Sequence, residues 1–234
     1  PGSDRIVALL PMKANSQRVK GKNFRTLHGR PLFRWILDSL LEVAEIDQVI
    51  INTDARHILA ENGLVDSDRV LIRDRRTDLC GDEVSMNLIL GDDIANVPAA
   101  TYLMTHTTNP MLTSATIGAA LAQYQTAAAS GAADSLFTVN IIQTRFYRAD
   151  ASPVNHDPDN LIPTQDLEPW YEENSNLYIF TKDSFTATDA RIGRKPIMYP
   201  TPKMESVDID TPEDWALADC VAAMVLSKQT KAAQ

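Results

Sequence analysis

Short, continuous apolar runs alternate regularly with stretches of helical periodicity from residue 6 to residue 142, and nothing else in the chain restricts its fold as much. A strand buried on one face alternates apolar and polar side chains, whereas a run that is apolar throughout is buried on both faces, as parallel strands between helices are. Residues 6–11 form the first such run, followed by 49–53, 70–72, 101–107 and 135–142. Between them lie helical patterns: one opening at Pro31, a short one stopping at Gly63, and others over about 84–95 and over 113–129, the last ending near Gly131. The expectation is an α/β fold with a mostly parallel sheet flanked by helices. Pro31 suits a first helical position because its ring presets φ and its missing N–H needs no partner there. Leu32, Trp35, Ile36, Leu40 and Val43 supply the apolar stripe. Residues 177–180 and 196–199 read as further strands, and Thr211 before Pro212 predicts the N-cap of a last helix running to about Ser227.

A chain of 234 residues with 44% apolar content can bury a sizeable core, and one domain over residues 4–228 is expected. Its two cysteines, Cys80 and Cys220, have no CxxC partner, so they read as reduced thiols rather than a disulfide or zinc framework. No run approaches the length of a membrane span and no signal-peptide pattern opens the chain, which predicts a soluble, cytoplasmic protein without a membrane partner. The segment 143–174 breaks the alternation, with Pro153, Pro158, Pro163 and Pro169 among Asp and Asn. It is too long for an ordinary loop and reads as functional or as an interface.

The net charge of −9 argues against a nucleic-acid partner, which needs clustered Lys and Arg. The average hides an asymmetry: between Arg5 and Leu37 there are eight basic side chains and no Asp or Glu. A small polyanion is the partner such a patch implies. Lys13, Arg18, Lys20 and Lys22 crowd the loop that leaves the first strand, and in open α/β sheets the ligand crevice lies at the carboxyl ends of the strands. The loop has neither the GxxxxGK[ST] nor the GxGxxG pattern, and a merely solvated basic loop fits the spacing as well. A second candidate is Asp208-Ile209-Asp210. In an extended segment both carboxylates point to one side, where they can hold Mg²⁺ with phosphate oxygens; helix-cap partners are the plainer reading.

These residues fall into an ordered set that resembles the acylneuraminate cytidylyltransferase family, the CMP-sialic acid and related CMP-sugar-acid synthetases. Ser16, Arg18, Lys22 and Asn23 match its Ser-x-Arg-x-x-x-Lys-Asn run, and Gly29-Arg30-Pro31-Leu32 is similar to its Gly-Lys-Pro-Leu. Asn52-Thr53-Asp54, Thr108-Asn109-Pro110 and the segment from Ser206 to Thr211 follow in the family's order. The resemblance implies a Rossmann-like nucleotidyltransferase fold with a dimerisation segment inserted at 143–176, hence a homodimer. It also implies attack by the anomeric hydroxyl of a 2-keto sugar acid on the α-phosphorus of CTP, expelling pyrophosphate. Carried over by motif, the nucleotide side comprises Pro11, Lys13, Ser16, Arg18, Lys22, Asn23 (at the ribose) and Arg73. Lys13, Arg18 and Lys22 would neutralise the leaving group, and Asp208 with Asp210 would hold Mg²⁺. His106, Arg145, Arg148, Gln165 and Asn174 are the sugar-acid candidates. The chain departs from the pattern in having Lys13 for Arg and His106 for Gln. The arginine many members carry before the residue matching Asn174 is missing, with Thr164-Gln165-Asp166 in that stretch. Two other readings remain: a glycosyltransferase that holds its metal on Asp-x-Asp, and a nucleotide-binding module without catalysis. The first expects carboxylates in mid-sheet and no basic loop after the first strand; the second has no need of the carboxylate pair.

Overall fold

A computed structural model describes residues 4–14, 19–81 and 83–232. In chain order it contains β1 (Ile6–Leu9), β2 (Thr26–Leu27), β3 (Arg30–Pro31), α1 (Leu32–Glu42), β4 (Gln48–Thr53), α2 (Arg56–Glu61), β5 (Val70–Asp74) and α3 (Met86–Asn96). Then come β6 (Thr101–Met104), α4 (Ser114–Ala129), β7 (Ser135–Ile142), β8 (Trp170–Phe180), α5 (Lys182–Thr188), β9 (Pro196–Pro200) and α6 (Pro212–Ala232). Seven of the described strands form one sheet in the order β5-β4-β1-β6-β8-β7-β9, while β2 and β3 pair alone. The pairs β5·β4, β4·β1, β1·β6 and β7·β9 are parallel, and only β8 runs antiparallel to both neighbours. The sheet is therefore mostly parallel, as the apolar runs require.

Burial on both faces explains those runs. Along β1, Ile6 and Ala8 face one cluster, with Phe33, Ile36 and Leu40 of α1 and Ile117 and Leu121 of α4. Val7 and Leu9 face the other, with Leu90 and Ile94 of α3 and Phe185 of α5. A third cluster seats α6 through Trp215, Ala218 and Ala222 against Leu32, Trp35 and the buried Ile209. Each fully buried Leu or Ile contributes about 1.5–3 kcal/mol relative to exposure, so these faces dominate the stability of the layers.

Several expectations shift at their edges. Pro31 is the N-cap of α1 rather than its first residue, with φ −55° and ψ 142°. The strand expected over 101–107 stops at Met104, because the chain leaves the sheet there to line a cleft. β8 begins at Trp170, inside the stretch read as irregular, since its outer half is held by backbone pairing from Asn140↔Glu172 to Ile142↔Trp170 and needs no apolar pattern. α5 was not anticipated, and the last helix continues to Ala232. Cys80 and Cys220 are both free. Among the described residues no helix is long and apolar enough to cross a membrane.

Candidate active site

Connections leave β1 toward β4 on one side, while β6 lies on the other, so a crevice opens above the carboxyl ends of β1 and β6. It is a cleft of about 400 Å³ lined by Pro11, Met12 and Lys13 after β1, Arg75 after β5, His106 to Thr108 after β6, and Lys22, Asn23 and Asp210. The sheet thus gathers residues from both ends of the chain.

Lys22 and Asn23 are presented by a one-turn 3-10 helix, Lys22–Phe24, whose N-cap is Gly21 at φ 62°. That left-handed conformation is open to glycine without the Cβ penalty other residues meet. Lys22 is only 7% exposed. Its ammonium donates to the Ile209 carbonyl and lies 3.4 Å from Asp210 Oδ1, joining the basic loop to the carboxylate segment. Asn23 Nδ2 donates to the Lys13 carbonyl at 2.9 Å, and its Oδ1 accepts from the Thr107 hydroxyl at 2.6 Å. The loop is held at its far side by Ala14 N donating to Asp54 Oδ1 at 2.7 Å.

The carboxylate pair follows the alternation read from sequence: Ile209 is fully buried between the more exposed Asp208 and Asp210. Ile209 N donates to the Thr108 carbonyl at 2.9 Å, which fixes the segment against the cleft wall. Asp208 is pushed above the usual carboxylate range chiefly by desolvation, and further by Asp210, against a hydrogen bond from Thr108 that lowers it. The helix cap is made instead by Thr211, as expected, whose Oγ1 accepts from Asp214 N at 3.2 Å, while Asp214 Oδ2 accepts in return from Asp210 N at 3.0 Å and Thr211 N at 2.7 Å. Two crowded hard-oxygen donors, one of them raised by the other's charge, fit a divalent cation such as Mg²⁺ that takes its remaining ligands from water and phosphate. His106 borders the cleft with its pKa lowered to about 4, first by burial and then by the charges of Arg191 and Lys22, so it is neutral at pH 7.

Arg73, singled out by the resemblance, does not line the cleft: its guanidinium pairs with Asp93 and, at 2.9 Å, with Asp92 on α3. Arg75, two residues on, is the arginine that lines the cleft. Its Nε donates to Asn52 Oδ1 at 2.9 Å, and its Nη2 donates to the carbonyls of Asn52 at 2.8 Å and Met12 at 3.2 Å. The two arginines look alike in sequence; what separates them is the acidic pair on α3.

Ser16 and Arg18 lie outside the described residues. Other cations of the basic run are engaged elsewhere: Arg25 stacks 4.2 Å over Trp215, Arg30 pairs with Asp38 at 3.4 Å, and Arg34 donates to the Gly63 carbonyl. None of Arg145, Arg148, Gln165 and Asn174 lines the cleft of its own chain. Arg145 donates to the Ile162 carbonyl at 2.6 Å, Arg148 to Pro153 at 3.4 Å, and the Gln165 carbonyl accepts from Gln143. Asn174 Nδ2 donates to Thr201 Oγ1 at 2.7 Å and Asn140 Oδ1 at 3.0 Å, bracing β8 against β7 and β9.

Lys13, Lys22, Arg75 and Asp210 share one crevice at the carboxyl ends of the strands, where open α/β sheets take up ligands, so fold and site together define the class of α/β proteins that bind an anionic ligand there. Within that class the chain belongs to the cytidylyltransferase family, whose model matches residues 7–232. A CMP-N,N'-diacetyllegionaminic acid synthase of Legionella pneumophila is 27% identical over 228 residues, covering 92% of this chain and 95% of the relative. An N-acylneuraminate cytidylyltransferase of Escherichia coli is 24% identical over 226 residues, 92% of this chain but only 51% of that protein. Among solved structures, a CMP:2-keto-3-deoxy-manno-octonic acid synthetase complexed with CTP matches with TM-score 0.65 and 15% identity, over 95% of this chain and 99% of the other. At that identity the likeness concerns the fold.

Proposed function

We propose that the chain joins a 2-keto sugar acid of the sialic-acid-like, nonulosonate type to CMP, using CTP and releasing pyrophosphate. The observation that carries this reading is the buried Lys22 ammonium, which ties the loop after β1 to Asp210 in one cleft. Family membership and the named functions of the relatives support it. The anomeric hydroxyl attacks the α-phosphorus, the bond to the β-phosphate breaks, and pyrophosphate leaves with the electron pair. Lys22, Lys13 and Arg75 line the wall that meets the triphosphate, where preorganised cations stabilise the charge growing on the leaving group. Asn23, fixed by Thr107, offers its amide to the ribose. Mg²⁺ held by Asp208 and Asp210 would withdraw charge from the α-phosphate and acidify the attacking hydroxyl. Neutral His106 exchanges a hydrogen bond with the sugar acid, donating from one ring nitrogen and accepting at the other.

The acting unit is a homodimer in this reading. Ile141 (52% exposed) and Tyr171 (48%), paired across the outer ends of β7 and β8, present apolar surface, and Trp170 stacks on Phe146 of the 143–176 segment with centroids 5.0 Å apart. Through that interface Arg145, Arg148 and Gln165 reach the partner's cleft. Release of pyrophosphate with CTP and Mg²⁺ is the test, run against a panel of eight- and nine-carbon 2-keto sugar acids with the other nucleoside triphosphates as controls. Silence across the panel refutes the function, and a monomeric mass by sedimentation refutes the dimer.

A further inference from the structure

Arg191 lies between α5 and β9 and is half-buried. Its guanidinium carbon sits 4.1 Å from the centroid of the Tyr178 ring. Among the described residues it has no ion pair and no hydrogen bond, whereas the neighbouring Arg194 donates to the Ala187 carbonyl at 3.0 Å. A stacked guanidinium with all its N–H donors unspent is poised for an external acceptor.

Its platform is rigid. Tyr178 is fully buried and pairs across the sheet with Met104, two residues before His106. The tyrosine hydroxyl donates to the Glu173 carboxylate and lies 3.1 Å from Ser175 Oγ. The loop carrying Arg191 is pinned on both sides: Thr188 Oγ1 donates to the Ile192 carbonyl at 3.0 Å, Gly193 N to Ser135 Oγ at 2.8 Å, and Arg194 N to Asp134 Oδ2 at 2.8 Å. Arg191 does not itself line the cleft, but through Tyr178 and its register partner Met104 it sits beside the strand end that carries His106, and its charge, after burial, is the largest influence lowering that histidine's pKa. Lys22, the other cation acting on that histidine, is paired with Asp210, whereas Arg191 has no ion pair among the described residues.

We propose that Arg191 anchors the carboxylate of the acceptor sugar acid, its fork receiving both oxygens beside His106 so that the acid's hydroxyl is turned toward the triphosphate. This rests on the reaction proposed above and assigns the acid's own anchor to a residue within the same chain as the nucleotide wall. A planar carboxylate matches the guanidinium in a way a single ammonium does not.

The test is steady-state pyrophosphate release with whichever acid of the panel turns over fastest. Arg191→Met should raise KM for the acid at least tenfold and leave KM for CTP within twofold. Arg191→Lys, which keeps the charge without the fork, should recover part of the loss and serves as the readout if the Met variant does not fold. With the same acid converted to its carboxamide, wild type and Arg191→Met should agree within twofold. The assignment is overturned if the penalty falls on CTP, if it persists with the carboxamide, or if Arg191→Met behaves as wild type while wild type turns over. If wild type releases no pyrophosphate with any acid, the proposed function fails first and takes this assignment with it.

Discussion

Replacing Arg75 by Met separates the scaffolding of the cleft from its charge. The side chain keeps much of its volume but loses three hydrogen bonds, to Asn52 Oδ1, the Asn52 carbonyl and the Met12 carbonyl. Asn52 is fully buried and Met12 is 3% exposed, so the abandoned acceptors have little access to water. Hydrogen bonds from a charged donor contribute about 1.5–3 kcal/mol each, but three from one half-buried guanidinium are not additive, and burial already lowers its pKa. A loss of about 2–4 kcal/mol in unfolding free energy follows. Freed from Arg75, the loop after β1 also loses its brace at Met12, and the cleft loses a cation; CTP should bind about 10- to 100-fold more weakly, or roughly 1.4–2.7 kcal/mol. Arg75→Lys restores charge but cannot serve Asn52 and Met12 together, so it should recover less than half of either loss. Guanidinium-induced unfolding and calorimetric titration with CTP measure the two quantities. Stability within about 0.5 kcal/mol of wild type together with an unchanged CTP affinity would refute the reasoning.

Lys22→Met should lower kcat by about 10²–10³ while the protein still folds, as loss of one preorganised cation does; stopped-flow pyrophosphate detection measures it, and a change confined to KM would argue against a role in the transition state. Asp93 is fully buried, Oδ2 has no partner among the described residues, and burial raises its pKa from 3.8 to about 6 against the pull of Asn52 and Arg73. A carboxyl whose folded pKa exceeds its unfolded value favours the folded chain below both, and that contribution is lost as pH rises through about 6. Asp93→Asn should therefore flatten the decline in stability across this window, and an unchanged slope in denaturant titrations at several pH values would count against it. A Cβ on Gly193 would lie 2.7 Å from Asp134 Cγ, and that carboxylate is fixed by Arg194 N and Lys195 N at 2.8 and 3.0 Å. Gly193→Ala should cost about 1–3 kcal/mol in thermal unfolding, with partial relief when Asp134 is also shortened to Ser.

The parallel half of the sheet was legible because strands covered on both faces need apolar side chains on both, as at Val49, Ile50 and Ile51, all fully buried. The outer half of β8 was not, since Trp-Tyr-Glu-Glu after a proline carries no such pattern and is held by main-chain bonds to β7. In the site, the basic loop with Lys22 and the Asp208–Asp210 alternation could be read because loop position and period two constrain them locally, whereas Asn23 was singled out only by the family resemblance. Choosing between Arg73 and Arg75 required knowing that α3 brings Asp92 and Asp93 beside β5, a contact across 20 residues. Arg191 carried no motif at all; only its position over Tyr178 singles it out.

The contact between Lys22 and Asp210 spans 188 residues of sequence. Loop-closure entropy makes such a contact late to form, and during synthesis it cannot exist until Asp210 has left the ribosome. The strands on either side of β1 can assemble well before that, so a nascent chain has its nucleotide wall long before it has the carboxylates opposite. Until the start of α6 docks, the growing protein is a basic surface on an incomplete fold, and its catalytic competence arrives with the closing step of folding rather than with the sheet.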